Sequence, residues 1–442
     1  MTHLPDYAVL DPAIDRLPRG QLRSMQTARL RSMAQYAYDS TPFWRRKLDE
    51  AEVHPGDIRD LNDLGRIPFS TKGELQADQL AYPPFGSYLA CERHRLVRFM
   101  MTSGTTGLPL RRVFSARDWG YAVDRLQRNP TAGPGDIVVT LGPVDGLMGP
   151  TASAESAARG GALVVLAGLY DSRTKVRLLR DLRPAVVSGS ASYLLHLIEV
   201  AGEEGVDLRA LGIRTVISVG EPGAAVPETR QRLVEGWGTF VRDGYGLTEL
   251  FPLGGGCRSS TSLHIASDLV ITEIVSPNSG QAVPAGEPGE VVYTNIVGDT
   301  QPLLRYRTGD IARLTDDEPC ACGFTGSRLQ HAIEGRVDDM IWLRGMNVFP
   351  SAIEAVVRGF VELDDEYEIV VSGEGRGLPA LVVRVEMRPG ALPETRDGLE
   401  NRVRDALVAA IRATAGVELL PYGTLPRADP RTKKRRVIRR PS

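Results

Sequence analysis

Apolar residues between Asp136 and Tyr245 alternate between two patterns. Short runs rich in β-branched residues, "DIVVTLG", "GALVVLAG", "RPAVVSGS" and "RTVISVG", each end in glycine or serine. Longer segments with helical spacing lie between them, such as "SYLLHLIEVAGEEG" and "PETRQRLVEGWG". Continuous apolar strands separated by helices are typical of a parallel sheet covered on both faces. This part of the chain is therefore predicted to have an α/β fold.

Two polar motifs follow predicted strands of this sheet. They are "ISVGEPG" and "VRDGYGLTE". In open α/β sheets, ligands bind beyond the carboxyl ends of the strands. We therefore expect both motifs to face one ligand-binding crevice.

The pattern changes after Ser260 and again after Gly335. The segments "SDLVITEIV", "GEPGEVVYTNI" and "LLRYRTGDIARL" predict antiparallel strands joined by Pro/Gly turns. Beyond Gly335 the pattern predicts a hairpin, a helix with Pro350 in its first turn, two strands and an amphipathic helix. Ser351 and Glu354 have the spacing of a capping box. These segments indicate a small α+β domain of roughly 100 residues.

Composition narrows the class of protein. The 442 residues are 42% hydrophobic, which allows two or three domains, and 53 basic against 55 acidic residues give a net charge of -2. This near-neutral balance gives the protein no overall positive charge that would attract nucleic acid or an anionic membrane. The N-terminus lacks the layout of a signal peptide, and the longest apolar stretch is about half of a bilayer span. Four cysteines do not make a disulfide framework, so we expect a cytoplasmic protein.

The stretch "MTSGTTGLP", starting at Met101, is the first candidate ligand-binding loop. Its glycines allow close approach of the backbone, and its hydroxyls can donate to phosphate oxygens without adding charge. The loop lacks the Gly-Lys-Ser/Thr ending of a Walker phosphate loop. It indicates a polyphosphate site of another kind, while an ordinary polar turn remains the alternative.

Three further motifs carry complementary chemistry. In "GYGLTE", Tyr245 can stack on a base, Thr248 can bond a phosphate and Glu249 can hold Mg²⁺. In "YRTGD", Asp310 can accept hydrogen bonds from two ribose hydroxyls, and "GRVDD" adds Arg336 beside a flexible junction. Each motif alone could be a solvated loop or a structural ion pair.

Together and in this order, the motifs resemble the acyl-adenylate-forming superfamily of CoA ligases, luciferases and adenylation domains. Within it, the chain is similar to the phenylacetate–CoA ligase branch from about Thr41 to the C-terminus, most specifically in "EPCACGFTGSRLQHAIEGRVDDMIWLRGMNVFPSAIE". The resemblance implies a large N-terminal domain, residues 1–337, and a mobile C-terminal lid, residues 338–442, with its hinge at Asp338.

The resemblance also implies roles for individual residues. The ATP β- and γ-phosphates would be held by Thr102, Ser103, Gly104, Thr105, Thr106 and Gly107. Glu221 and Pro222 would line the adenine slot with Tyr245, while Thr248 would contact the α-phosphate and Glu249 would ligate Mg²⁺. Asp310 would bind the ribose with support from Arg336.

Lys433 is predicted to be the lid lysine that reaches the α-phosphate and the carboxylate. By composition alone, its surroundings "RTKKRRVIRR" are an exposed basic tail. The register of the resemblance favours Lys433 over Lys434, although Thr432 stands where the family usually has glycine.

The implied reaction is the activation of a carboxylic acid. The carboxylate attacks the α-phosphorus of ATP and pyrophosphate leaves, which gives an acyl-adenylate; a thiol then displaces AMP. Transition-state charge spreads over the phosphate oxygens, so Mg²⁺ and a lysine are suited to stabilise it. The two half-reactions require different arrangements of the active site, and a hinged lid could provide both.

Four side chains form a candidate metal site. Cys257 and His264 have C-x₆-H spacing, and Cys320 and Cys322 have C-x-C spacing. Three thiolates and one imidazole make a closed, structural zinc set, with four ordinary buried side chains as the alternative. Some members of the branch carry zinc at matching positions. Cys91 falls outside this group.

The acid pocket departs from the branch. Members that take phenylacetate tend to have an aromatic, glycine-rich stretch where this chain has "TLGPVDGLMGPTA". Asp145, next to Gly146, could pair with an amino or hydroxyl substituent or could face solvent, and Phe251 and Leu253 are further candidate lining residues. We therefore expect the substrate to be an acid of secondary metabolism, either a substituted aromatic acid or another small carboxylic acid with an amino or hydroxyl group.

The acceptor is left open by the sequence. CoA is the default of the branch, but a carrier-protein thiol, an amine or activation of an oxyanion such as nitrite are alternatives. A non-catalytic nucleotide- or nucleic-acid-binding protein is the rival class, which the presence of Glu249 and Lys433 disfavours. A homodimer is usual in the branch.

Overall fold

The computed structural model describes residues 4–7, 10–102, 109–315, 318–343, 346–372, 380–389, 396–427 and 436–440. The α-helices are α1 (Arg19–Ser40), α2 (Pro42–Glu50), α3 (Lys72–Ala81), α4 (Ala116–Gln127), α5 (Met148–Arg159), α6 (Ser172–Leu182), α7 (Ala191–Glu203), α8 (Pro227–Trp237), α9 (Pro350–Gly359) and α10 (Arg396–Ile411). None of the helices in these ranges is long and apolar enough to cross a membrane.

The strands are β1 (Leu96–Met101), β2 (Arg111–Ser115), β3 (Ile137–Thr140), β4 (Leu163–Leu166), β5 (Val186–Gly189), β6 (Thr215–Val219), β7 (Phe240–Gly246), β8 (Pro252–Cys257), β9 (Ser260–Ile265), β10 (Val270–Val275), β11 (Pro288–Asn295), β12 (Tyr306–Leu314), β13 (Arg328–Arg336), β14 (Ile341–Leu343), β15 (Met346–Val348), β16 (Leu363–Ser372), β17 (Ala380–Met387), β18 (Gly416–Leu420) and β19 (Val437–Arg440). The chain forms two compact units: unit 1 is residues 1–166 and 244–332, and unit 2 is residues 167–243 and 333–442.

Most of the strands that carry candidate site residues lie in unit 1. Its large sheet has the order β10-β11-β12-β13-β9-β8, and β8 pairs antiparallel with the end of β7. Strands β3 and β4 pair in parallel, as their continuous apolar runs predict. Strands β1 and β2 form a separate antiparallel pair that flanks the candidate phosphate loop.

Unit 2 combines a parallel pair of strands with a C-terminal sheet. Strands β5 and β6 are parallel, and α7 and α8 pack against each other beside them. The C-terminal sheet has the order β18-β17-β16-β19. Leu399, Val403 and Leu407 are spaced four residues apart along α10, so they lie on one face of the helix. This face is buried in a hydrophobic core shared with the C-terminal sheet. The predicted α/β fold class is confirmed, and the boundary at Asp338 stays a prediction.

The predicted capping box at Ser351 and Glu354 is wrong. Helix α9 begins at Pro350 with Phe349 as its N-cap, and no side chain caps it. Ser351 therefore already lies inside the helix. The Glu354 carboxylate instead accepts hydrogen bonds from the Thr229 hydroxyl at 2.9 Å and the Tyr367 hydroxyl at 3.1 Å. Glu354 thus makes a tertiary hydrogen bond to α8 and not the local hydrogen bond that a capping box would require.

A buried carboxyl in unit 1 should make stability depend on pH. Asp118, in the first turn of α4, accepts hydrogen bonds from the backbone N–H groups of Asp299 and Thr300 at 2.8 and 3.0 Å. Burial, together with the Asp299 charge, raises the pKa of Asp118 to about 6. The unfolded chain should titrate near pH 4, so the folded state binds this proton more tightly and loses stability as the pH rises through about 6.

We expect the Asp118→Asn variant to remove this part of the pH dependence. The wild-type contribution to the free energy of unfolding should be larger at pH 5 than at pH 7, by about 1 kcal/mol. Urea unfolding of both proteins at the two pH values measures the difference. Asp405→Asn, at an exposed position of α10, is the control. An identical pH dependence in wild type and Asp118→Asn would refute the assignment.

Candidate active site

Tyr245 and Asp310 meet in unit 1 although they are far apart in sequence. Tyr245 is near the end of β7 and Asp310 lies in β12, where only 5% of it is exposed. The Tyr245 hydroxyl donates to Asp310 Oδ2 at 2.7 Å. Burial and the Asp310 charge raise the pKa of Tyr245 well above its ordinary value, so its hydroxyl stays protonated and donates. A carboxylate can accept about four hydrogen bonds, so the bond from Tyr245 alone does not use up the acceptor capacity of Asp310.

Glu249 is buried in the turn that follows β7. Its carboxylate accepts a hydrogen bond from the Tyr306 hydroxyl at 3.1 Å, and Lys72 Nζ lies 4.0 Å from the same oxygen. Gly246 allows this turn, because a Cβ there would lie 2.8 Å from the Phe251 carbonyl oxygen. Both contacts are to Oε1, and a carboxylate oxygen is the kind of ligand that Mg²⁺ prefers. Thr248, the neighbouring residue, is half-buried.

The two ends of the candidate phosphate loop are held together. Thr102 N–H donates to the Leu110 carbonyl at 3.1 Å, and Leu110 N–H donates to Thr102 Oγ1 at 3.0 Å. These bonds extend the β1–β2 pairing by one residue pair. Outside the described residues lie Ser103, Gly104, Thr105, Thr106 and Gly107, together with Lys433 and its alternative Lys434. The roles of these residues stay predictions.

The remaining predicted nucleotide contacts belong to unit 2. The Glu221 carboxylate accepts a hydrogen bond from Ser192 N–H in the first turn of α7. The turn Pro222–Ala225 follows it and packs so closely that a Cβ on Gly223 would lie 2.3 Å from Ala191 Cβ. Glu221 is thus fixed at the end of β6, as expected from the strand pattern.

The predicted hinge also has defined contacts within unit 2. Arg336 donates to the Asp338 carboxylate at 3.0 Å. Arg439 in β19 donates to the main-chain carbonyls of Asp338 and Met340 at 3.3 and 3.0 Å. Side chains on both sides of Asp338 therefore hold this segment.

The candidate acid-pocket residues differ in exposure. Asp145 and Gly146 are exposed in the turn before α5, and the Gly146 carbonyl accepts a hydrogen bond from Met101 N–H at 3.3 Å. Phe251 and Leu253 are buried, and the Phe251 ring centroid lies 6.4 Å from that of Phe114. Phe251 and Phe114 thus pack in the core of unit 1, and the roles of Phe251 and Asp145 in binding the acid stay predictions.

The four predicted metal ligands come together in unit 1. The ligand atoms of Cys257, His264, Cys320 and Cys322 all lie within 4.8 Å of one another. Strand β9 pairs with both β8 and β13, which brings the hairpin that carries Cys257 and His264 to the Cys320–Cys322 turn. The His264 ring also stacks on Phe324 with a centroid distance of 4.4 Å.

The distances in this cluster fit a tetrahedral ion. Cys257 Sγ and Cys320 Sγ are 3.8 Å apart, and two thiolates on one zinc ion at about 2.3 Å would be separated by roughly 3.8 Å. Cys322 Sγ lies 4.0 Å from each ring nitrogen of His264. Burial, with the neighbouring Cys320 and Cys257 thiols, raises the pKa of Cys322 to about 11. A bound cation would offset this crowding of thiolates.

Two partners of Glu249 were not predicted from the sequence. Tyr306 begins the "YRTGD" motif, so an aromatic hydroxyl at a strand end was available as a signal. Lys72 follows the capping residue Thr71 of α3, and its sequence context indicates only a helix start.

Comparisons with known proteins agree with these features. The family description "AMP-binding enzyme" matches residues 43–296, and "AMP-binding enzyme C-terminal domain" matches residues 345–440. The phenylacetate-coenzyme A ligase of Thermus thermophilus is 33% identical, over 97% of this chain and 98% of that protein. The enzyme of the same name from Escherichia coli is 31% identical over 95% of each chain.

A solved structure extends the likeness to the fold. The crystal structure of 2-hydroxyisobutyryl-CoA ligase in the postadenylation state with R3-HIB-AMP has a TM-score of 0.91 and 29% identity, and the match covers 99% of this chain and 94% of that one. The match to the AMP-binding enzymes covers more than half of this chain. The resemblance found in the sequence is therefore confirmed: the chain belongs to the family of AMP-binding enzymes and is an AMP-forming ligase that resembles the phenylacetate–CoA ligases.

Proposed function

We propose that this enzyme uses ATP to convert a small carboxylic acid into an acyl-adenylate, releases pyrophosphate, and transfers the acyl group to the thiol of CoA. The observation that carries the proposal is the set of buried acids in unit 1. Asp310 lies beside the Tyr245 hydroxyl, and Glu249 lies beside Tyr306 and Lys72. Neighbouring segments of one unit thus carry a carboxylate that can accept hydrogen bonds from ribose hydroxyls, an aromatic ring that can pack on a base, and a carboxylate that can bind a metal ion.

Each residue has a distinct task in the proposed first half-reaction. Tyr245 orients the Asp310 carboxylate, which accepts hydrogen bonds from the ribose hydroxyls, and the tyrosine ring packs against the base. Thr248 donates to the α-phosphate, and the hydroxyl-rich loop from Thr102 to Gly107 holds the outgoing phosphates. Glu249 would hold Mg²⁺, which neutralises phosphate charge when bound. Lys433 supplies a positive charge to the attacked phosphate.

The proposed acid is a small, substituted aromatic or short-chain hydroxy acid. Phe251 and Phe114 supply one buried apolar wall, and the exposed carboxylate of Asp145 suits an amino or hydroxyl substituent. The likeness to phenylacetate-coenzyme A ligases and to 2-hydroxyisobutyryl-CoA ligase supports small acids of both kinds. ATP–pyrophosphate exchange over a panel of aryl, hydroxy and fatty acids tests this assignment. Exchange with long-chain fatty acids alone would contradict it.

The acceptor and the reaction products are tested separately. With the preferred acid, AMP release should become rapid when CoA is added and should stay slow with a carrier protein or an amine. Nitrite offered in place of the acid should give no AMP release. AMP and pyrophosphate are the expected products. Formation of ADP and phosphate would overturn the proposed reaction, whereas stimulation by an acceptor other than CoA would change only the second half-reaction.

Three structural features complete the proposal. A Zn²⁺ ion bound by Cys257, His264, Cys320 and Cys322 would tie the β8–β9 hairpin to the turn before β13. Residues 338–442 would act as a lid that pivots at Asp338 between the two half-reactions, and a homodimer is the proposed assembly. The zinc cluster is supported by its distances, while the lid and the dimer are supported by the family resemblance.

A further inference from the structure

Tyr293 is a large, buried side chain next to the two candidate active-site acids. It lies in β11, and 0% of it is exposed. One of the acids, Asp310, accepts its hydrogen bond from Tyr245. The other, Glu249, accepts a hydrogen bond from Tyr306. Tyr293 is a neighbour of both of these tyrosines, although it bonds neither a predicted ligand nor a metal ion itself.

The first neighbour of Tyr293 is Tyr245. Their ring centroids are 6.3 Å apart and the ring planes are inclined by 40°, which lies in the range where aromatic pairs attract each other. Burial, and next the Asp310 charge, raise the pKa of Tyr293, so its hydroxyl stays protonated near that carboxylate. Tyr293 therefore packs on the tyrosine that donates to Asp310, and its own hydroxyl is under the influence of the same acid.

The second neighbour of Tyr293 is Tyr306. The antiparallel register of β11 and β12 places these two residues directly opposite each other. Side chains that are directly opposite in such a pair lie side by side, with Cβ atoms about 4.5–5.5 Å apart. Tyr306 is 2% exposed, and its hydroxyl donates to Glu249 Oε1 at 3.1 Å. The three tyrosines 245, 293 and 306 thus form a tyrosine row with a carboxylate at each end.

We propose that Tyr293 is a positioning residue that couples the two acids: it holds Tyr245 against Asp310 on one side and Tyr306 against Glu249 on the other. This role rests on the proposed function, in which Asp310 binds the ribose and Glu249 binds magnesium. A buried ring restricts the tyrosines on both of its sides, because a close-packed interior leaves little space for other rotamers. The spacing between the ribose site and the metal site therefore depends on a side chain that touches neither ligand.

Two readouts separate the two ends of the tyrosine row. The ratio of the dissociation constants for 2′-deoxy-ATP and ATP, from calorimetric titration without the acid, reports how well Asp310 holds the ribose. The magnesium concentration that gives half-maximal ATP–pyrophosphate exchange reports how well Glu249 holds the metal ion. Tyr245→Phe should lower only the ratio, and Tyr306→Phe should raise only the magnesium requirement.

Tyr293→Leu should change both readouts at once. The ratio should fall by roughly fivefold, which corresponds to about one hydrogen bond, and half-maximal exchange should need about tenfold more magnesium. Tyr293→Phe keeps the ring and loses only the hydroxyl near Asp310. This variant should therefore lower the ratio by about threefold and leave the magnesium requirement unchanged.

Tyr36→Leu is the matched control, because it removes a buried tyrosine outside the tyrosine row. Tyr36 is 5% exposed, and its hydroxyl donates to the Asp299 carbonyl at 2.7 Å. This variant should melt at a lower temperature than the wild type and leave both readouts unchanged.

Three results would decide against the proposal or against its basis. Equal weakening of ATP and 2′-deoxy-ATP binding in Tyr293→Leu, or a change in only one readout, would show a purely structural role and overturn the coupling. If thermal melting shows that Tyr293→Leu does not fold, an unchanged ratio in Tyr293→Phe overturns it instead. Wild-type protein that does not bind ATP would contradict the proposed function itself.

Discussion

Replacing Glu249 with glutamine should lower the rate of ATP–pyrophosphate exchange by about a hundredfold, equivalent to about 2.7 kcal/mol of transition-state stabilisation. Glutamine keeps the size of the side chain and the acceptor for the Tyr306 hydroxyl, which lies 3.1 Å from Glu249 Oε1. It removes the negative charge that would hold Mg²⁺ against the phosphates. The exchange rate at saturating ATP and acid measures the effect.

Two variants separate the charge of Glu249 from its surroundings. Tyr306→Phe removes only the hydroxyl that orients the carboxylate, so a loss of about tenfold is expected, in the range of other interactions that orient metal ligands. Glu287→Gln, at an exposed turn position, should leave the rate unchanged. If Glu249→Gln retained the wild-type rate at low and high magnesium concentrations, Glu249 could not be the metal ligand.

Replacing Cys320 with serine should release one zinc ion per chain and lower the melting temperature by roughly 2–4 °C. Cys320 is 4% exposed, and its sulfur lies 3.8 Å from that of Cys257. Without the ion, no metal coordination would join the hairpin of β8 and β9 to the turn before β13. A loss of about 2–4 kcal/mol corresponds to a shift of this size in a protein of several hundred residues. Metal analysis of the purified protein and thermal melting measure the two effects.

Cys91 provides the matched control for the zinc prediction. It is a free, half-buried cysteine outside the cluster, so Cys91→Ser should keep the zinc content and the melting temperature of the wild type. A chelator should shift the melting temperature of the wild type but not that of Cys320→Ser. Wild-type protein that contains no zinc after expression with added zinc would rule out the proposed site.

Local patterns were enough to predict most of the elements. The β-branched runs correspond to β3, β4, β5 and β6, and their parallel pairing follows from the helices between them. The antiparallel pairing of β10, β11 and β12 was likewise predicted from short strands joined by Pro/Gly turns. These inferences succeed because residue periodicity and turn chemistry act over a few neighbouring positions.

The capping box shows where local reasoning fails. Ser351 and Glu354 have the right spacing, but the helix start moved to Pro350 and Glu354 bonds to Thr229, 125 residues away. Arg112 shows the same limit. The sequence "RRVFS" indicates a strand, yet only the packed hairpin decides which of the two arginines is buried.

The available chemistry can be identified from the order of the residues alone: the aromatic ring, the acids, the hydroxyl-rich loop and the set of three cysteines and one histidine. Which of these groups come into contact depends on how the whole chain folds. Tyr245 and Asp310 are separated by 65 residues, Tyr306 and Glu249 by 57, and Cys257 and Cys320 by 63. Such contacts depend on the order and register of the strands, which are selected by packing over the whole sheet and not by any one segment.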